Sequence, residues 1–260
     1  MVPHSNHSFE PNTFAELIFD MRRIVFTGFI LIAALHVFAQ KDSTVHPKPA
    51  VTLPRSNDHL ILQFGYTAWN GTPDTINTSG FHRAFNAYFM FDFPFKSNPH
   101  FSAAIGAGVS TENVYFDKTI VDIKSTSSSL QFRDASDTNH FKKFKIATTF
   151  LEAPVELRYN ANPENNNKSF KIAVGAKIGT LLNAHTKGKE LQNKGGGTVN
   201  DYITKENTKR FFNQNRISLT GRIGYGNLSI FGSYAVTPLF KEGLAPTIRP
   251  FTFGIMLSGL

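Results

Sequence analysis

The chain has 260 residues, no cysteine, 26 phenylalanines against one tryptophan, a formal charge of +8 and a mean hydropathy of -0.19. That average is too polar for a helical membrane protein, whose spans each need roughly 20 consecutive apolar residues. The missing cysteines exclude a disulfide scaffold, a thiolate metal site, a cysteine nucleophile and a lipid-modified cysteine at the N-terminus. The length suits one domain with at most a tail. The basic residues never run five together, and Lys142-Lys143 and Lys209-Arg210 are the densest pairs, so nucleic acid is not expected as a partner. Lysines in loops facing an acidic surface such as lipopolysaccharide are the plainer source of the charge.

In chain order, Arg22-Arg23 precede an apolar run from Ile24 to Phe38, and Val37-Phe38-Ala39 lead into Gln40. A basic start, a short apolar stretch and small or aliphatic residues before a cut site describe a cleaved signal peptide over 21–39 better than an uncleaved anchor. Residues 1–20, with Glu10, Glu16 and Asp20, fit poorly ahead of it and read as a mis-assigned upstream extension, with Met21 the true start. His4 and His7 resemble a metal pair but fall in that extension. Residues 40–57, with Pro47, Pro49 and Pro54, read as an extended periplasmic lead-in.

From 58 to 260 apolar residues recur at every second position, the mark of strands with one greasy face. The first strand sets Leu60, Leu62, Phe64 and Tyr66 on one side, and the second Phe85, Ala87, Phe89, Phe91 and Phe93. The third sets Phe101, Ile105 and Val109 against the small residues Ser102, Ala104, Gly106, Gly108 and Ser110. In the fourth, the apolar phase switches from Phe144, Ile146 and Phe150 to Leu151, Val155 and Leu157. A one-residue shift turns every side chain over, so a β-bulge near Phe150–Leu151 is expected to keep the greasy face outward. Pro154 needs such an irregularity, or a place where its missing donor is not required.

The fifth strand alternates Phe170, Ile172, Val174 and Ile178 with Lys171, Gly175 and Lys177. The sixth alternates Ile217, Leu219 and Ile223 with Arg216, Ser218 and Arg222, and Gly226-Asn227 turns tightly into the seventh, Leu228 to Val236. The eighth carries Phe251, Phe253, Ile255 and Leu257. The predicted fold is all-β: an eight-stranded, antiparallel, up-and-down transmembrane β-barrel preceded by a signal peptide. Long connections at 70–80, 118–142, 187–208 and 240–247 alternate with short ones, as in barrels with outer loops and periplasmic turns. Phe93, Phe95, Phe101, Tyr159, Phe170 and Tyr225 are expected at the inner rim. Trp69, Phe81, Tyr115, Phe144, Phe211 and Phe251 are expected at the outer rim, as interfacial girdles.

With the apolar faces in lipid, the other faces fill the interior. Asp92, Glu152, Glu156, Arg158, Lys171, Lys177, Arg216 and Arg222 then form a lumen ion-pair network, because an eight-stranded barrel is only wide enough for side chains and a lone buried charge is very costly. No catalytic, cofactor-binding or metal-binding residue is assigned, and an enzyme is not expected. His82 and His185, with Ser79 and Thr186 near them in sequence, are the only hint of lipid-modifying chemistry, without triad or nucleophile-elbow spacing. Gly221-x-x-Gly224-x-Gly226 and Gly195-Gly196-Gly197 lack the context of phosphate loops.

Four pieces together carry a resemblance. They are the signal ending at Ala39-Gln40, the stretch Tyr88-Phe89-Met90-Phe91-Asp92-Phe93-Pro94-Phe95, the motif Glu152-x-Pro154-x-x-Leu157-Arg158-Tyr159 and the hairpin Gly224-Tyr225-Gly226-Asn227-Leu228. The chain resembles, over about 58–260, the outer-membrane β-barrel domain family widespread in Bacteroidota, which includes the PorT-type proteins. The resemblance implies the cell outer membrane and leaves the activity open; secretion, linked to PorT-type members, does not follow from fold. The chain departs from the common barrel ending in an aromatic residue, closing instead on Gly259-Leu260. The expected role is structural or interaction-based, through loops 118–142 and 187–208, with the lumen filled. An accessory part in secretion or envelope assembly and a lipid-modifying barrel enzyme are the alternatives. Expected partners are outer-membrane lipids and lipopolysaccharide, the barrel-assembly machinery during insertion, and an envelope protein.

Overall fold

The computed structural model describes residues 59–259. The upstream extension, the signal peptide, the lead-in, His4, His7 and Leu260 lie outside the described residues. Eleven strands follow one another: β1 (Leu60–Asn70), β2 (Arg83–Pro94), β3 (Phe101–Phe116), β4 (Thr119–Val121), β5 (Phe132–Asp134), β6 (His140–Asn160), β7 (Phe170–Gln192), β8 (Thr198–Asn207), β9 (Asn215–Tyr225), β10 (Leu228–Ala235) and β11 (Arg249–Ser258). Among the described residues no helix is long and apolar enough to cross a membrane.

The pairings run β1–β2–β3–β6–β7–β9–β10–β11 and return from β11 to β1, antiparallel throughout. A sheet closed on itself has no free edge, and the strands of the ring pair along their lengths with a neighbour on either side. That is the condition for strands to sit in hydrocarbon. Alternation decides which side faces where. Phe64, Phe89, Ile105, Val155, Ile172, Leu219, Ile230 and Phe253 lie on the exposed outside, while Gln63, Asn86, Ser102, Glu156, Lys177, Arg216, Ser229 and Thr252 are buried within. The distribution is that of a soluble protein turned inside out.

Three strands are built from segments expected to be loops. β4 and β5 form a small hairpin inside the connection 117–139. β8 pairs with the far part of β7, so most of 187–208 is a hairpin projecting beyond the ring. Its turn explains the three glycines: Gly196 has φ +85, and Asn193 Oδ1 accepts the Gly197 amide at 2.9 Å. The fifth strand is therefore much longer than its sequence phase advertised. Alternation on β7 breaks at Leu182–Asn183, both exposed, and resumes with Ala184 and Thr186 buried.

The bulge is not where the apolar phase of β6 placed it. β6 keeps one phase from end to end: Phe144, Ile146, Phe150, Glu152, Glu156 and Arg158 all point inward. The irregularity between Thr149 and Phe150 is an extra residue in β7, where Thr149 pairs with Asn183 but Phe150 with Leu181, leaving Leu182 unmatched. The phase switch in β6 has another cause, which is that the outer half of the interior is itself apolar. Pro154 sits where the β3–β6 ladder is interrupted, so no donor is missed there.

The inner-rim aromatics Phe93, Phe95, Phe101, Phe170 and Tyr225 are exposed on the outside, with Tyr159 half-buried among them. At the outer rim only part of the expected girdle is present. Phe81 and Phe251 are exposed and Tyr115 half-buried, but Phe144 and Phe211 are buried inside. Trp69 packs edge-on against Phe116 and Phe240, at 5.6 and 5.8 Å between ring centres.

Candidate functional site

The interior has two layers. The inner one is ionic, and its centre is a single row of paired residues across five strands: Tyr88, Gly108, Glu152, Gly179 and Arg216. The glycines on either side of Glu152 open the space through which its long neighbours reach it. A Cβ on Gly108 would lie 2.5 Å from Tyr88 Cδ1, and one on Gly179 3.0 Å from Glu152 Cγ. Arg216 Nη2 donates to Glu152 Oε1 at 2.6 Å, and Lys177 Nζ approaches Oε2 at 3.0 Å. The Tyr88 hydroxyl donates to Glu152 and accepts from Lys177 Nζ at 3.0 Å. The same Nη2 donates to Ser110 Oγ at 3.2 Å, and the other arm, Nη1, donates to Glu112 Oε1 at 2.7 Å.

A second group lies toward the inner rim. Glu156 Oε2 accepts from Arg158 Nε at 2.8 Å and from Arg222 Nη2 at 3.1 Å. Arg158 Nη1 reaches Asp92 Oδ1 at 3.5 Å, which also accepts the Ser102 hydroxyl at 2.7 Å. Lys171 is buried on β7 opposite Asn160. Below, Asn160 donates to Asn166 Oδ1 at 2.6 Å and accepts from Ser169, closing that end of the ring.

Of the residues assigned to the lumen, Glu152, Lys177 and Arg216 meet at one centre, and Asp92, Glu156, Arg158 and Arg222 at the other. Glu112, Tyr88 and Ser110 complete the first centre and were not assigned to it. The signal for Glu112 and Ser110 was present: the small-residue face of β3, read on past Ser110, puts Glu112 inside. Between the centres a cavity of about 20 Å³, lined by Tyr88, Glu156, Lys177 and Arg222 among others, has room for roughly one water and no more.

The outer layer is greasy. Arg216 lies over the face of Phe150, 3.8 Å from the ring centre, and above it the connections fold inward. Ile76, Val121, Ile123, Leu130, Phe211, Phe212, Phe240 and Ile248 pack against Val114, Phe116, Phe144, Ile146 and Leu181 from the strands. The four outer connections thereby plug the mouth of the ring.

The histidines considered for lipid chemistry are not brought together. His82 is buried, its Nδ1 accepting the Tyr115 amide at 3.2 Å and its ring stacked on Tyr66 and Tyr115. His185 lies on β7, two strands beyond β3, beside Asn183 Oδ1 at 3.2 Å, and Thr186 points to the opposite face. Among the described residues no group of three His, Asp or Glu is placed to hold a metal ion. On the projecting hairpin, hydrogen bonds from Lys142 and then Thr198 hold the Glu190 carboxyl below its ordinary value.

A closed antiparallel ring, apolar outside and ionised within, is the build of a transmembrane β-barrel. The chain belongs to the outer membrane protein beta-barrel domain family, whose model matches residues 38–242. No curated protein matches the chain. The family places the protein in the outer membrane.

Proposed function

We propose that this barrel is a structural or interaction protein that works through its outer loops and conducts nothing through its lumen. The observation that carries this reading is the filled interior: two ion-pair centres, a cavity with room for about one water, and an apolar plug above them. An interaction role draws support from the β7–β8 hairpin. Among the described residues β8 ends the sheet order with one unpaired edge, and Val199, Tyr202 and Ile203 are exposed along it. An open strand edge with apolar side chains is a ready template for a partner's strand, and an accessory role in secretion or envelope assembly would use the same surface.

Export through a signal peptide at 21–39, membership of the PorT-type Bacteroidota group, and insertion by the barrel-assembly machinery go with this reading. A lipid-modifying activity is not part of it, since His82 is tied to the Tyr115 backbone. Planar bilayers containing the purified protein are expected to show no steady conductance above the bare membrane. Long-lived open steps would overturn the proposal.

A further inference from the structure

On the outside of the ring, toward the outer loops, lies a row of cations that the ion pairs of the interior do not touch. Lys145 on β6 is directly opposite Lys187 on β7, and Lys187 is directly opposite Lys205 on β8. Directly opposed residues share a face with Cβ atoms about 5 Å apart, and like charges so placed destabilise a sheet. Arg83 joins them from β2: its guanidinium and the Lys145 ammonium both sit 5.7 Å from the centre of the Tyr115 ring. Lys187, Arg83 and Lys205 are each close enough to repel Lys145.

Carboxylates are near but engaged elsewhere or turned away. Glu190 is paired with Lys142 at 3.0 Å, Glu112 is inside with Arg216, and Glu206 pairs with Thr186, whose side chain faces inward. Among the described residues none of the four cations makes an ion pair. Lys145 Nζ donates instead to a neutral acceptor, Asn113 Oδ1, at 2.6 Å.

The row also has a position relative to lipid. Arg83 is the next outward position after Phe85, and on β7 Lys187 lies further out than Leu182, with Asn183 and His185 between them; Phe85 and Leu182 are exposed members of the apolar band. Beside Tyr115 a groove of about 370 Å³, lined by Ser79, Phe81, Arg83, Lys142 and Lys143 among others, gives the row a concave border. Positive charge that begins next to Phe85 and continues outward from the apolar band onto the base of the projecting hairpin favours an anion that carries its own acyl chains.

We propose that Arg83, Lys145, Lys187 and Lys205 form a binding site for the phosphate groups of an anionic lipid of the outer leaflet. This deepens the outer-membrane reading and rests on it. The lipid phosphate supplies the countercharge that the cross-strand lysines lack, and its chains lie on the Phe85, Leu151 and Leu182 side of the wall. The site is an attachment to the membrane's own lipid and shares only Lys205 with β8.

The test uses the full chain in a neutral detergent, with the triple variant Lys145→Gln/Lys187→Gln/Lys205→Gln and the single variant Lys187→Gln. The probes are diphosphorylated lipid A, a neutral phosphatidylcholine and inorganic phosphate. Wild type is expected to bind lipid A and to gain heat stability from it, with roughly tenfold or greater weakening in the triple variant. Without lipid the triple variant is expected to melt higher than wild type, because the repulsion is gone. Equal binding of lipid A by both proteins, stabilisation by phosphatidylcholine alone, or stabilisation by inorganic phosphate to the same extent overturns the proposal. Should the triple variant not fold, Lys187→Gln carries the same comparison. Boiled and unboiled samples on a gel report separately whether the barrel is intact, so a lost site is not confused with a lost barrel.

Discussion

Replacing Arg216 with methionine is expected to destabilise the barrel by about 3–5 kcal/mol, the cost of breaking a buried ion pair from one side. Arg216 serves two carboxylates, and they are not equally exposed to its loss. Glu152 keeps Lys177 and the Tyr88 hydroxyl, whereas the only ion pair of Glu112 among the described residues is to Arg216. The loss should therefore be concentrated at Glu112. Adding Glu112→Gln to Arg216→Met removes the stranded charge and is expected to recover a substantial part of the stability. Urea unfolding in detergent micelles, followed by the gel shift between folded and boiled forms, measures both steps. A loss below about 1 kcal/mol, the scale of an exposed pair, would mean that the interior is open to water and the network is solvated.

Placing arginine at Val155 is expected to cost about 2–4 kcal/mol in a bilayer, the depth-dependent cost of a cation near the lipid midplane. Val155 is half-exposed at the middle of the outward series Leu151, Ala153, Val155, Leu157 and Tyr159 on β6. In a water-soluble sheet the same change at a half-exposed valine would fall within about 0.5 kcal/mol. Phe170→Arg, at the inner rim, is the control and is expected to cost about 0–1 kcal/mol. Equilibrium folding into vesicles reports the two values, and their difference is the depth profile.

How far the molecule can be read from its sequence depends on height in the barrel. In the inner half the two faces of every strand differ chemically. The alternation of Phe89 with Met90 and Asp92, or of Ile172 with Lys171 and Ala173, names both the strand and its lipid side. The charged residues follow at once, because nothing apolar competes for the interior. In the outer half both faces carry apolar residues, and periodicity then identifies faces without saying which one is inside. Phe144, Ile146 and Phe150 read as lipid-facing for that reason, and that reading requires a bulge on β6 which the strand does not have. Phe211 reads as a girdle residue on the same logic, although it plugs the mouth. Glu112 is missed because the alternation on β3 is followed only as far as Ser110, although the strand runs to Phe116. β8 was hidden by the extra residue at Leu182, which breaks the phase of β7 just where the projecting hairpin begins.

The absence of cysteine makes one further measurement clean. Val174→Cys, on the outward face, and Ser218→Cys, on the inward one, each provide a single thiol. In vesicles, a fluorophore on Val174→Cys is expected to be quenched by lipids brominated along their acyl chains and untouched by iodide. Ser218→Cys is expected to resist labelling until the protein is unfolded. Iodide quenching at position 174 without quenching by brominated lipid, together with ready labelling at position 218, would put water where hydrocarbon is required and contradict the inside-out barrel.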